Sequence, residues 1–409
     1  MRVTFSGTVA TGLLLLGAAS YAVPRAGSGG DFATFYYAAL AFRRGLNPYD
    51  LGVLTGLADG MELSPFLYPP PALALFLPFT WLPLGNAVLV WFWLKAALAV
   101  VLVLLWWRVF LSRKSLLSLV AVTLFGFNAA TLMDLTTGNI SIVEELLLWL
   151  AFRRYVEDRR WSFALLIVLA AMFKLSPIAF LALLLVPSKR NGRSLGPALA
   201  GLGLLGAVLL VLPGPAIRWA QGLLTSTSVH RPAGEINPCA LGVFDTFLLY
   251  RGQPRDGGAS SLALALWAFY CMALLLVSRR ALRRTWEKRE PLEWVVVGSM
   301  LYALLSPRMM IYSWILPVVP AFLLVHAVYS RRRDQTAVIT VLILQGFLLR
   351  AVLRADFMQN VVRLPFLVDV ALANLPFLLA LGLWLTFLAA PRQVGAAGQV
   401  ARPGGQRDA

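Results

Sequence analysis

The chemistry available to this chain sits in a few polar residues set against long apolar runs. Asp31 lies in Gly29-Gly30-Asp31-Phe-Ala-Thr-Phe-Tyr-Tyr37, just past the first hydrophobic stretch, where a carboxylate at a lipid–water boundary could take a proton from an acceptor hydroxyl. The same aspartate after Gly-Gly is also a good helix N-cap. Lys174 stands inside Leu-Ala-Ala-Met-Phe-Lys-Leu-Ser-Pro177, and Arg308 follows a second Ser-Pro break in Leu-Leu-Ser-Pro-Arg-Met-Met-Ile-Tyr-Ser-Trp314. A cation at membrane depth is costly and marks a functional candidate, although a lysine at a helix end can also snorkel to the interface. Two convergent cations suit a phosphate, the arginine through paired donors and the lysine as a point charge. Asn139, in Thr-Thr-Gly-Asn-Ile-Ser, is a third polar position, followed by Glu144 and Glu145. Those two glutamates point about 100° apart on a helix, so a shared-proton pair is not expected; pairing with Arg153 or Arg154, or a place in the bundle interior, is. Asp134, at the end of an apolar run, is expected to be a boundary charge.

Composition fixes what must hold these residues. Of 409 residues, 59% are hydrophobic and 13% charged, with a mean hydropathy of +0.75, far from a soluble domain. The formal charge of +17 would suggest nucleic acid in a soluble protein, but here the basic residues gather in short loops between apolar runs and report topology instead. Only His230 and His326 are histidines, and Cys239 and Cys271 lie in separate segments, so neither a disulfide nor a metal site is expected. No cofactor is expected either.

Apolar runs of about 20 residues fall at 3–24, 86–108, 115–133, 195–213, 259–278, 311–329 and 365–390, with shorter or proline-broken ones at 66–83, 138–153, 161–187, 292–305 and 336–350. The first is expected to be an uncleaved anchor. Residues 66–83 carry five prolines, which points to an unwound or re-entrant piece. The expected fold is an all-α polytopic transmembrane bundle of about 11 to 13 spans over residues 1–390, with short interfacial helices in the outer loops and a disordered cytoplasmic tail at 391–409. Basic clusters at 279–290, at Arg331, Arg332 and Arg333, and at Lys189, Arg190 and Arg193 assign the cytoplasmic side. Residues 25–65 and 215–258 then face outward as two long loops, with an aromatic interfacial helix (Phe32, Phe35, Tyr36, Phe42) in the first. Arg108, Arg113 and Lys114 fit this parity only if 66–83 and 86–108 are not both full spans.

Taken in order, Gly30-Asp31-Phe-Ala-Thr-Phe-Tyr-Tyr-Ala-Ala with Gly45-Leu-Asn-Pro-Tyr49, Leu67-Tyr-Pro-Pro-Pro71, Thr137-Gly-Asn139, Phe173-Lys-Leu-Ser-Pro177 and Leu305-Ser-Pro307 resemble glycosyltransferase family 87, the polyprenyl-phosphate-mannose-dependent mannosyltransferases of the membrane-embedded C superfamily. The resemblance implies a sugar, mannose, on a lipid phosphate, inverting transfer to a lipid or glycan acceptor outside the cytoplasm, a place in the plasma (inner) membrane, and Asp31 as base. Lys174, Arg308, Tyr36, Tyr37, Tyr68, Asn139 and Tyr312 are the candidate substrate-binding residues. The family commonly has histidine after the later Ser-Pro, where this chain has Arg308, Tyr312 and Trp314, and Gly138-Asn139 stands at a Gly-Gln position. The chain holds no Asp-x-Asp for a metal-bound nucleotide sugar, whereas a lipid phosphate can leave against fixed cations. A transporter or flippase of a lipid-linked sugar is the main alternative, and a polymerase or ligase of lipid-linked glycans the third.

Overall fold

The structure, a computed structural model, describes residues 17, 18, 22, 30–111, 115–186, 194–229, 237–250, 261–344, 370, 371 and 373–390. The first expected span and the 391–409 tail therefore lie almost entirely or entirely outside the described residues. Among those described, the chain is helical with no strand.

Helix α1 (Gly30–Arg43) and α2 (Leu51–Leu57) open the site side of the molecule. The Asp50 side chain caps α2 by accepting from Gly52 N at 2.9 Å and Val53 N at 3.3 Å. Prolines then cut residues 66–83 into a short α3 (Pro71–Phe76) and a 3₁₀ turn (Leu77–Trp81). At ~1.5 Å per residue these cannot cross a hydrocarbon core of about 30 Å. Their place is fixed instead by α1, whose Tyr36 hydroxyl donates to Leu82 O at 2.9 Å and whose Arg43 donates to Thr80 O at 3.0 Å.

One consequence concerns α1 itself. Rather than lying on an interface, it is buried on nearly every side from Phe32 to Ala41. Phe32 stacks on Trp91 and meets Phe76 and Phe79 edge-on, while Phe35 packs on Tyr68 and Phe76. The rings of the proline-rich segment form a sheath that the helix pattern alone does not reveal.

Helix α4 (Leu84–Leu105) runs on through a π turn (Trp106–Phe110), giving a largely apolar helix of 27 residues that is long enough to cross a membrane. Because 66–83 is not a span, Arg108 arrives at the end opposite α1, which resolves the charge parity. Helix α5 (Leu116–Thr137) returns, bent by 66° between Phe127 and Ala129, and stops at Gly138 in the left-handed conformation (φ 74°). Helix α6 (Ser141–Val156) leads away again and α7 (Arg160–Phe173) comes back, followed by a 3₁₀ stretch (Ser176–Leu185). Helices α8 (Leu195–Val211) and α9 (Pro213–Val229) meet at a bend of 106°, and α10 (Ala240–Tyr250) completes the described part of residues 215–258.

Helix α11 (Ser261–Lys288) is the second clear crossing helix. It continues unbroken through most of the basic cluster that the sequence placed in a loop, since Arg and Lys are good helix formers. Helix α12 (Pro291–Leu305) ends at the second Ser-Pro, a 3₁₀ turn (Ile311–Ile315) follows, and α13 (Val318–Val328), α14 (Arg332–Leu344) and α15 (Leu375–Ala389) close the described chain. By length and composition two described helices can cross a membrane, or four if each bent pair is one crossing; several expected spans are instead short apolar helices, 10 to 17 residues long, broken at proline.

Candidate active site

The two polar breaks and the α5–α6 corner meet at one end of the bundle. Gly138 ends α5, and the following residue, Asn139, is fully buried with every side-chain group engaged. Its Nδ2 donates to Asp31 Oδ2 at 2.7 Å and to the Tyr68 hydroxyl at 3.0 Å, while its Oδ1 accepts from Ile140 N at 2.8 Å and the Ser141 hydroxyl at 3.1 Å. Asp31 therefore does more than open a helix. It lies in the first turn of α1 with its carboxylate turned to the corner.

The approach of the two backbones depends on Gly30. Its φ is +45°, and a Cβ there would stand 2.5 Å from Thr137 O.

Beneath the corner is an ion pair that sequence analysis missed. Lys95 of α4 has no exposed surface; its Nζ donates to Asp134 Oδ2 at 3.0 Å, to Asn139 O at 2.9 Å and to Asp134 O. Asp134 Oδ1 accepts from Ser141 N at 3.0 Å, and Trp91 Nε1 donates to Gly138 O at 2.7 Å. Asp134 is thus the buried partner of Lys95, not a boundary charge, because α4 and α5 converge there with no water to solvate either group. Lys95 within Trp-Phe-Trp-Leu-Lys-Ala-Ala-Leu was detectable by the rule that selected Lys174, a cation inside an apolar run.

Lys174 sits where α7 has ended and the backbone is extended (φ −151°, ψ 124°). Its Nζ donates to Ser313 Oγ at 2.9 Å and Ser141 Oγ at 3.3 Å, lies 5.3 Å from the centre of the Tyr312 ring, and pairs with Glu144 Oε2 at 3.1 Å. Glu144 also accepts from Ser176 Oγ at 3.3 Å. Neither Glu144 nor Glu145 pairs with Arg153 or Arg154, which hold Glu157 instead at the far end of α6. Arg308 is exposed at the rim, its backbone turned by Ser306 Oγ, which donates to Arg308 O at 2.8 Å. That loop is tied to the segment before α10, where Asn237 Oδ1 accepts from Met309 N at 2.7 Å.

Of the residues expected in the site, the structure gathers Asp31, Asn139 and Tyr68 in one hydrogen-bonded group and Lys174 with Tyr312 in another. Ser141 bonds to both. Tyr36 and Tyr37 are not in it: the Tyr36 hydroxyl is spent on Leu82 O, and the Tyr37 ring packs edge-on against Tyr36. Burial raises the Asp31 pKa above the usual carboxylate range, an effect partly offset by the Asn139 hydrogen bond and by the charges of Lys95 and Lys174. Among the described residues no three His, Cys, Asp or Glu side chains come together as a metal site.

The family profile of glycosyltransferase family 87 matches residues 66–307, more than half of the chain. The chain belongs to glycosyltransferase family 87. It is a membrane glycosyltransferase with an all-helical fold. The matched span takes in Tyr68, Lys95, Asp134, Asn139, Glu144 and Lys174 and begins after Asp31, so the carboxylate enters the site on geometry. The chain is 27% identical over 322 residues to a Mycobacterium tuberculosis protein named polyprenol-phosphate-mannose-dependent alpha-(1-2)-phosphatidylinositol mannoside mannosyltransferase, covering 74% of this chain and 71% of that one. It is 26% identical over 362 residues to the Mycolicibacterium smegmatis protein of the same name, covering 81% and 75%. No solved structure matches the chain.

Proposed function

We propose that this glycosyltransferase moves mannose from a polyprenyl-phosphate donor to a lipid-linked or glycan acceptor on the outer face of the plasma membrane, with inversion and without a metal. The observation that carries this is the 2.7 Å hydrogen bond from Asn139 Nδ2 to Asp31 Oδ2, which holds a half-buried carboxylate beside a lysine-lined break in the bundle. Asp31 takes the proton from the acceptor hydroxyl as its oxygen attacks the anomeric carbon. The bond from that carbon to the phosphate oxygen breaks, and the polyprenyl phosphate leaves with its charge against Lys174 and Arg308. The names of the two mycobacterial relatives support the donor and suggest a phosphatidylinositol mannoside as the acceptor to try first.

The test is to incubate purified full-length protein with radiolabelled polyprenyl-phosphate-mannose and a membrane lipid extract. Wild type is expected to produce a labelled lipid product, and Asp31→Asn, which keeps an oxygen for Asn139 to hold, is expected to lose transfer by at least a hundredfold while still binding donor. Full activity in Asp31→Asn removes the base; movement of intact donor across the bilayer without transfer favours a flippase.

A further inference from the structure

Lys174 is already occupied. Its ammonium lies 3.1 Å from Glu144 Oε2, and Glu144 borders a small recess also lined by Glu145, Ser176, Tyr302 and Ser313. Both glutamates are nine-tenths or more buried, and Glu145 Oε2 accepts no hydrogen bond. Lys174 is ion-paired with Glu144 and its charge also acts on the neighbouring Glu145. The other charged or titratable groups that reach Glu144 are Asp134 from α5, Tyr302 from α12, Tyr312 from the 311–315 turn and Tyr68 from the proline-rich segment. From α4, Lys95 is spent on Asp134. None of these supplies a second positive charge to the recess, and Arg308, the other cation of the proposed phosphate site, stands exposed at the rim.

A phosphodiester brought to Lys174 would therefore meet a cation that is neutralised, with two carboxylates behind it and Asp31 in front. Sharing the lysine between two anions in a water-poor site is costly, and so is leaving Glu144 buried and unpaired. Protonation removes both costs.

We propose that Glu144 is a built-in occupant of the donor-phosphate site: the incoming phosphodiester displaces it from Lys174, and the freed carboxylate takes one proton from water and stays in its recess as the neutral acid. When polyprenyl phosphate departs, the proton returns to water and Glu144 pairs with Lys174 again. No bond to the substrate is made or broken by Glu144. The empty site thereby keeps its lysine oriented and its charge covered, and donor binding becomes coupled to proton uptake. The Ser176 hydroxyl, 3.3 Å from Glu144 Oε1, and the Tyr302 hydroxyl on the recess wall are the polar groups that remain for the neutral acid. The proposal rests on the reading that Lys174 holds the donor phosphate.

The experiment is calorimetric titration of the full-length protein in nanodiscs with short-chain polyprenyl-phosphate-mannose, in two buffers of different ionisation enthalpy. Wild type is expected to take up about one proton per donor bound, so that affinity falls by up to about tenfold per pH unit. Asp31→Asn should keep that uptake. Glu144→Gln should show none, bind with an affinity independent of pH, and bind at least as tightly as wild type, since its amide no longer claims the lysine charge. Absence of uptake in wild type, uptake retained by Glu144→Gln, or weaker donor binding by Glu144→Gln each overturns the exchange. If Glu144→Gln does not fold, the wild-type uptake alone decides. Lys174→Met separates the two readings. Donor binding undiminished in Lys174→Met defeats the phosphate-site assignment, whereas lost binding there combined with no uptake in wild type defeats only the exchange.

Discussion

Asp31 illustrates how a single side chain trades stability for reactivity. Burial raises its pKa above the usual carboxylate range, and a base works best when its pKa approaches the operating pH. As a base it must be ionised, so kcat at saturating donor, where the proton linkage of donor binding drops out, should rise with pH through that raised value, and the acid limb should lie above the ~3.9 of a free aspartate. The stability effect has the opposite sign. The folded chain binds this proton more tightly than the unfolded one, so the contribution is favourable below the unfolded-state pKa and is lost as pH rises through the folded one. A pH–rate profile that is flat through this region, or breaks at the free-aspartate value, would contradict a buried base. At this scale the sequence was informative wherever an ionic group interrupts an apolar run, as at Asp31 and Lys174. The partner of each was not legible: Asn139 lies 108 residues from Asp31 along the chain, and Ser313 lies 139 from Lys174. Such pairings are set by helix packing that no local pattern encodes.

The element that matters most is the α5–α6 corner, because it carries Asn139 and is held from below by α4. Lys95 and Asp134 are both fully buried, so removing one leaves the other uncompensated, at a cost of about 3–5 kcal/mol. Lys95→Met should therefore lower the thermal midpoint sharply. Adding Asp134→Leu should restore much of it, since an apolar pair of similar volume is often neutral or better. Transfer should not return with stability, because the Lys95 hydrogen bond to Asn139 O is gone and the corner that holds Asp31 is no longer fixed. A double variant with wild-type activity would reduce the pair to packing. Helix breaks were the most legible elements, since proline states them outright at 66–83, Pro177 and Pro307. What proline could not say is how deep the pieces sit. The aromatic stripe of α1 looks amphipathic on its own, yet the rings of residues 66–79 and Trp91 enclose it.

For the whole molecule, the separation of charge along the bundle carries the argument about sidedness. The site end collects Asp31, Asn139, Lys174 and the exposed acids Asp59 and Glu62, whereas Arg108, Arg153, Arg154 and the run from Arg279 to Lys288 lie at the ends of helices leading away from it. Short basic segments are retained in the cytoplasm, so the site should face outward, where a lipid-linked sugar needs no nucleotide to carry it. The loop charges set out this alternation, and among the described residues two helices, or four if each bent pair is one crossing, are long and apolar enough to span, while other expected spans take the form of apolar helices of 10 to 17 residues. Sidedness can be read directly with a membrane-impermeant maleimide on intact cells, in a Cys271→Ser background that leaves only the buried Cys239. Glu62→Cys, exposed beside the site, should label without permeabilisation, and Arg284→Cys, exposed at the far end of α11, should label only after it. The reverse pattern would put Asp31 in the cytoplasm. In that case the donor and the acceptor would both have to be presented on the inner leaflet, and the positive-inside assignment would fail for this chain as a whole.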